Sequence, residues 1–530
     1  MKQIYMKKKS LCLILCVCLV GTLAPLSSIS ADPLKGTTEQ AEWVMMFYLN
    51  GDNKLSSALQ QTLTSIRNIG STDDVHIAVL IDGSGEDDTK LYYIMGNTLG
   101  VQEWPSESDM DDATTLVEFV EKVMADHPAN HYGLAITSNK GSGWQGVCFD
   151  EHGDGIMITM PELLDAFEEI TDNGANNLAM LIVESCLCGN LEFRYQVRSY
   201  CDYTVGYADC GLVGDIAYAT TLTDLVNNPS MTPMTLATTF VDNFVPQDLP
   251  FYKIKQAFGA VESQRLDALA QAIDDLALYF IDHLDDSSIA IQQALQETRK
   301  YGITWNIEYF VDLAHFLDLI TIDDPAFTVI KNTVLDRIED AVIAKAVLED
   351  DHSCGLNFFF PGTKGDYYHA LRYENDALPS PYENTLYAMD TNWDEFLKAY
   401  LHVEENNPST NPIITGPSRG KASEEYSFTV SATDPDGDEI YLYVEFDDAA
   451  NTGWIGPYES GEEVELSHTW ETTGKKLIKA KSRDGTFAES GWSTLEITMP
   501  KTKVLTKTLF DILNNRLSIV MLLRQLIDKF

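Results

Sequence analysis

Apolar runs that end in loop-forming clusters set the rhythm of the first half of the chain. Residues 43–49 form one such run and stop at Asn50-Gly51-Asp52-Asn53. Residues 75–81 form a second, which ends at Asp82, and residues 132–138, 178–185 and 203–207 repeat the pattern. Short, continuously apolar runs bounded by turn residues predict buried strands. Residues 91–95 predict a shorter strand at a sheet edge. Between these runs, apolar positions recur at spacings of three and four. That pattern predicts helices over 55–69, 113–124 and 161–170, the last with Pro161 in its first turn. Strands alternating with helices specify an α/β fold with a mostly parallel sheet covered by helices.

After Gly214 the pattern turns helical, with apolar faces over 266–284, 288–299, 308–320 and 327–348. Residues 354–361 read as a strand closed by proline. Residues 393–401 read as a helix with Asn392 as N-cap. The Asn-, Pro-, Ser- and Thr-rich stretch 403–417 reads as a linker. Beyond it, alternating runs at 425–430, 440–446, 463–470, 476–482 and 493–499 predict a small immunoglobulin-like β-sandwich over 418–500. The tail, 501–530, carries six basic and two acidic residues, with apolar side chains at helical spacing. A basic amphipathic tail suits an anionic surface. It equally suits docking on the protein's own acidic domains.

The first 31 residues change the picture of where the chain works. Lys2, Lys7, Lys8 and Lys9 precede an apolar stretch from 11 to 20, and small residues precede Asp32. This is the pattern of a secretory signal peptide, so the expected location is extracellular, with cell-surface association through the tail as an extension. The net charge is −45, and removal of the four signal lysines takes it to −49. So strong an acidic balance argues against nucleic acid as a partner and favours basic ligands. Six cysteines remain after residue 31, and Cys201 with Cys210 is the best pairing by position.

Two loops carry the candidate chemistry. One follows the strand ending at Ser138 and reads Asn139-Lys140-Gly141-Ser142-Gly143-Trp144. The other follows the strand 178–185 and reads Glu184-Ser185-Cys186-Leu187-Cys188-Gly189-Asn190. Ligands in open α/β sheets bind beyond the carboxyl ends of strands, so Lys140 and Cys186 are expected to face one crevice. Together with the opening 43–55, Asn68-Ile69-Gly70-Ser71-Thr72-Asp73-Asp74-Val75, residues 89–94 and His127-Pro128-Ala129-Asn130-His131-Tyr132, these segments resemble the clostripain family of cysteine peptidases. The resemblance spans residues 42–401. It implies a caspase-like fold, a Cys–His dyad on adjacent strand ends, and cleavage after Arg or Lys.

Carried over position by position, the resemblance places Cys186 as the nucleophile. Lys140 stands where the family has its histidine, followed by Gly141 and Gly143. The segment that follows the next strand in the family is degenerate here, which leaves Asp209 and Glu184 as candidate acids for a basic substrate residue. His152 lies in a hairpin-like turn, and His131 opens the strand that leads to Lys140, roughly 30 Å from it at the rise of an extended chain. Taken alone, Cys186 reads as a structural thiol at a strand end.

Two functions follow. One is a secreted clostripain-like protein, weak or inactive as a peptidase, that binds basic peptides or the cell surface. The other is an active cysteine endopeptidase that cleaves after Arg or Lys. Neither requires a cofactor. Calcium is the one ion suggested, at the alternating carboxylates of Asp434-Pro435-Asp436-Gly437-Asp438-Glu439, which also read as a plain acidic turn.

Overall fold

The computed structural model describes residues 40–527, apart from 97, 138–142, 151–156, 303–308, 350, 370–381, 404–406, 449, 486–487 and 501–518. The expected signal segment, Lys140, Gly141 and His152 lie outside the described residues. Among the described residues, no helix is long and apolar enough to cross a membrane.

The strands of the first half are β1 (Ala41–Asn50), β2 (Val75–Asp82), β3 (Lys90–Met95), β4 (Thr98–Val101), β5 (Ala129–Thr137), β6 (Gly146–Phe149), β7 (Met157–Thr159), β8 (Leu178–Glu184) and β9 (Cys201–Tyr207). After these come the short hairpin β10 (Asp248–Leu249) and β11 (Ile254–Lys255), then β12 (Ala257–Glu262), β13 (Lys300–Tyr301), β14 (Phe310–Val311), β15 (Val342–Val347) and β16 (Phe358–Phe359). Nine of them form one sheet in the order β15-β12-β9-β8-β5-β1-β2-β3-β4. The five central strands, from β9 to β2, run parallel, and the outer strands are antiparallel.

Period-two alternation along β1 explains the layering. Val44, Met46 and Tyr48 join a core with α2 (Ala113–Asp126) and α3 (Met160–Ile170) on one face. Trp43, Met45, Phe47 and Leu49 join a second core with α1 (Ser56–Arg67) and the helices Tyr218–Asn227 and Pro233–Asp242 on the other. The helix α3 starts at Thr159, whose side chain and that of Glu162 form a reciprocal capping box, with Pro161 in the first turn. A third core gathers the later helices Leu266–Asp282, Pro325–Ala341 and Trp393–Leu401 around Phe280, Phe316, Phe360 and Trp393.

The structure corrects several expected elements. The pattern 327–348, read as one helix, breaks after Ala341 and continues as β15 on the sheet edge, while β12 was not expected at all. Small residues in Ala257-Phe258-Gly259-Ala260 hide a strand signal, and only pairing with β9 and β15 reveals it. The edge assigned to 91–95 belongs to β4, which pairs outside β3. Cys201 and Cys210 do not pair, and among the described residues no disulfide forms. Cys201 opens β9 and Cys210 lies beyond its far end, so the strand's own length, roughly 20 Å, holds them apart.

Downstream, β17 (Ile413–Thr415), β18 (Glu425–Ser431) and β21 (Val464–Thr469) form one sheet. A second consists of β19 (Ile440–Phe446), β20 (Asn451–Tyr458), β22 (Gly474–Asp484) and β23 (Ser493–Met499). Phe428, Val430, Leu442, Val444, Trp470, Ile478 and Ile497 are buried between them. The stretch 403–417 is therefore not all linker, because Ile413–Thr415 pairs with β18.

Gly259 lies where β12 passes the backbone of Gly355, and a Cβ there would sit 2.3 Å from the Gly355 carbonyl oxygen. Gly259→Ala is expected to destabilise the fold by about 1–3 kcal/mol, the usual cost of overpacking, read as a lower denaturant midpoint at unchanged m-value.

Candidate active site

Parallel pairing puts the ends of the central strands on one rim. Thr137, the last residue of β5, lies opposite Glu184, the last of β8, and Val183 lies opposite Gly206 near the end of β9. The Thr137 hydroxyl donates to Glu184 Oε2 at 2.9 Å, and the Gly214 N–H donates to Oε1 at 2.8 Å. Burial pushes Glu184 up to about 7, against the lowering effect of the Gly214 and Thr137 hydrogen bonds.

Beyond Glu184 the chain turns through Ser185 and Cys186 into α4 (Leu191–Val197). Leu187 adopts a φ of 62° and donates its N–H to the Asp209 carbonyl at 3.1 Å. The Gly189 N–H donates to the Tyr207 carbonyl at 2.7 Å, and a Cβ on Gly189 would lie 2.4 Å from that same oxygen, so the close approach requires glycine. Asn190 caps α4 by accepting the Phe193 N–H at 2.7 Å. From far along the chain, the Asn357 carbonyl accepts the Leu191 N–H at 2.9 Å, and the Asn357 side chain donates to the Ala208 carbonyl. Cys186 is partly exposed, whereas the other five described cysteines are buried. Burial pushes Cys188, two residues on, up to about 12.

The loop that contains Lys140 is anchored on both sides of its undescribed part. Thr137 ends beside Glu184. At the far end, Gly143 has a φ of 61°, and a Cβ there would lie 3.0 Å from Asn190 Nδ2 and 3.3 Å from Phe310. Trp144 is buried edge-on against Phe310, Phe359 and Tyr382. The structure therefore brings both ends of this loop against the segment that carries Cys186.

The two candidate acids have other partners. Asp209 Oδ2 receives Arg299 Nη2 at 2.9 Å, and Oδ1 receives the N–H groups of Cys210 and Gly302 at 2.9 and 3.0 Å. Arg299 also donates through Nε to Asp351 at 2.7 Å. Asp209 is thus the hub of a buried ion pair, and both Glu184 oxygens already accept hydrogen bonds. His131 packs its ring against Trp43, with centroids 4.8 Å apart, at the opposite end of β5.

Sequence reasoning missed the charges inside α4. Glu192 and Arg194 are both buried. Glu192 accepts from the Phe359 N–H at 2.9 Å and from Asn190 at 2.8 Å, and burial pushes it up to about 8. Arg194 donates to the carbonyls of Thr204 at 2.8 Å and Gly259 at 3.1 Å and to the Thr204 hydroxyl at 2.6 Å. No spacing in Leu191-Glu192-Phe193-Arg194 announces this, because its partners come from other strands.

The sequence profile of the clostripain family, peptidase family C11, matches residues 47–400. The chain belongs to the clostripain family. Among solved structures, a secreted C11 cysteine protease from Bacteroides thetaiotaomicron in complex with an irreversible peptide inhibitor is 17% identical, with a TM-score of 0.50, over 68% of this chain and all of that one. A second structure, of the Bacteroides thetaiotaomicron C11 protease called iotapain, is 13% identical with a TM-score of 0.50, over 67% of this chain and 99% of that one. The PKD domain of an M14-like peptidase from a Thermoplasmatales archaeon is 47% identical over 18% of this chain and all of that one, with a TM-score of 0.18. Among curated proteins, none matches.

For this clostripain-family chain, the buried glutamates set a pH dependence. A carboxyl whose pKa is raised on folding leaves the unfolded state with fewer protons between the two values, so stability falls as pH rises through that window. Stability is expected to decline between the ordinary glutamate value of 4.5 and the folded value of about 7 for Glu184. Glu184→Gln should flatten that slope by up to about 1.4 kcal/mol per pH unit, measured by urea unfolding across the window.

Proposed function

We propose that this protein is an exported clostripain-family member that holds basic peptide segments and hydrolyses them weakly or not at all. The observation that carries this reading is the sequence after β5, where Lys140 stands at the place of the family's histidine while Cys186 is retained. A cysteine peptidase needs a base to form the thiolate and an acid to protonate the departing amine, and a group titrating near neutrality serves both. A lysine titrates at roughly 10.4. Its ammonium favours a thiolate nearby but exchanges protons poorly at neutral pH.

Two further observations support the reading. Arg299 neutralises Asp209, so this carboxylate is not open to a substrate's basic side chain. Attraction of basic peptides then rests on the field of a chain with net charge −45 rather than on one carboxylate in the cleft. The lysine-rich start and apolar stretch of the first 31 residues support export. Exposed Ile519, Met521, Leu522 and Ile527 on the helical segment 519–527 support surface attachment through the tail.

The second reading is an endopeptidase cleaving after Arg or Lys. It is favoured by the partial exposure of Cys186 at the strand end, where a nucleophile must stand.

The decisive comparison uses an arginyl peptide substrate with wild type, Lys140→His and Cys186→Ala. Wild-type turnover is expected at the Cys186→Ala background, with Lys140→His raising it by about 10²–10⁴-fold, the usual contribution of general acid–base catalysis. Robust wild-type turnover that disappears in Cys186→Ala would establish the second reading instead. The uncleaved peptide is also expected to bind wild type, and to bind more weakly as salt screens the field.

A further inference from the structure

We infer that the cavity beneath the hairpin β10–β11 is a binding site for a peptide carboxylate, carried by an acidic side chain or by a free C-terminus. This goes beyond the reading above, because it concerns an anionic group and residues outside the loops that follow β5 and β8.

The cavity has a volume of about 390 Å³, within the roughly 300–1,000 Å³ usual for ligand sites. Lys253 and Lys255 line it from the hairpin, and Arg299 and Lys300 from the start of β13. His315 and His352 face them. Asp248, Glu297 and Asp351 complete the charged lining, so four cationic side chains meet three anionic ones. On a chain with 36 basic and 81 acidic residues, that balance is inverted.

Pairing sharpens the contrast. Lysines and arginines elsewhere commonly have carboxylate partners, as in Lys122 with Asp126, Arg198 with Asp267 and Lys398 with Asp394. Within the cavity, Asp351 is taken by Arg299, whose Nε donates to it at 2.7 Å. Among the described residues, neither Lys253 nor Lys255 forms an ion pair. Two ammonium groups without carboxylate partners on one cavity wall attract an anion into it.

Local structure holds these lysines in place. The N–H groups of Tyr252 and Lys253 donate to the carbonyls of Leu249 and Pro250 at 2.9 and 3.2 Å. Lys253 then turns the chain into β11 with a φ of 55°, a conformation in which glycine or asparagine is the usual residue. His352, across the cavity, has a φ of 57°. Backbone strain of this kind gathers at ligand sites, where it fixes side chains in advance. At the base of the hairpin, the Lys255 carbonyl accepts Arg299 Nη2 at 2.9 Å. Gln256 accepts the Gln247 N–H at 3.0 Å and donates to Asp215 at 2.6 Å.

The histidines add a neutral donor. His315 Nδ1 accepts the Arg299 N–H at 2.9 Å, which leaves the ring proton on Nε2. His352 stacks on this ring, with centroids 4.6 Å apart and planes at 7°. Burial, reinforced by His352, holds His315 below the usual histidine value. A neutral ring N–H beside two ammonium groups suits a carboxylate, which only accepts hydrogen bonds.

The tip of the hairpin indicates what carries the carboxylate. Phe251 is 89% exposed, and Tyr252 lies edge-on to it with centroids 5.1 Å apart. Exposed aromatic surface next to a charged cavity fits a ligand with both an acid and an apolar side chain, as a peptide has. The cavity also borders the crevice. Arg299 reaches Asp209 at 2.9 Å, and the Asp209 carbonyl accepts the Leu187 N–H at 3.1 Å, one residue beyond Cys186.

The test is fluorescence-anisotropy titration of full-length protein with dansyl-labelled pentapeptides that carry one central residue between phenylalanines. Three are compared: central aspartate with an amidated C-terminus, central asparagine with an amidated C-terminus, and central asparagine with a free C-terminus. Wild type is expected to bind at least one charged form on the order of tenfold more tightly than the uncharged one. The form that gains identifies the source of the carboxylate. Both lysines are exposed, so the double variant Lys253→Gln, Lys255→Gln is expected to fold with unchanged Tm. It should lose the gain and bind the arginyl peptide as wild type does, which separates this result from the fate of the basic-peptide reading. Equal binding of charged and uncharged forms by wild type overturns the inference. So does a gain that persists in the double variant, which would put the anion elsewhere.

Discussion

The parallel register between Thr137 and Glu184 is the constraint on which the crevice depends. Two strands from distant parts of the chain end level with each other, so both loops leave on one side of the sheet. A single buried carboxyl then locks the arrangement, because Glu184 accepts from Thr137 on the neighbouring strand and from Gly214 beyond β9. A slip of one residue would turn Glu184 to the opposite face and leave all three groups without partners. The same bonds that hold the rim fill the lone pairs that a substrate cation would need.

The segment around Cys186 is built as a rigid shelf. Its turns close on the carbonyls of Tyr207 and Asp209, and Asn357 clamps them from more than 150 residues downstream. Backbone positions with no freedom, such as Gly189 against Tyr207, keep the thiol partly open while neighbouring sulfurs are buried. None of this depends on which side chain occupies position 140. A scaffold of this kind can therefore persist whatever residue occupies position 140, since packing and proton transfer are separate physical demands.

Charge is distributed in a way the net value conceals. On a chain of net charge −45, Arg194 and Arg299 lie inside, where one gathers strand carbonyls and the other joins Asp209 to Asp351. Removing one partner of a buried pair such as Arg299 and Asp209 leaves an uncompensated charge inside and is strongly destabilising.

By itself, the sequence determined the strand–helix alternation, the positions of the central strands, the proline in the first turn of α3 and the turn after β8 that carries Cys186. These rest on local periodicity and turn chemistry, which a short window contains. It also located the second β module, though β17 and β20 escaped it. Tertiary structure alone decided that residues 342–347 leave a helix to join the sheet edge, that Cys201 and Cys210 stand a strand apart, and that Asp209 belongs to Arg299. It alone brought Lys253 and Lys255 to one cavity with His315. The reason is common to all four: each depends on partners remote in sequence, and no local pattern encodes which distant group will arrive.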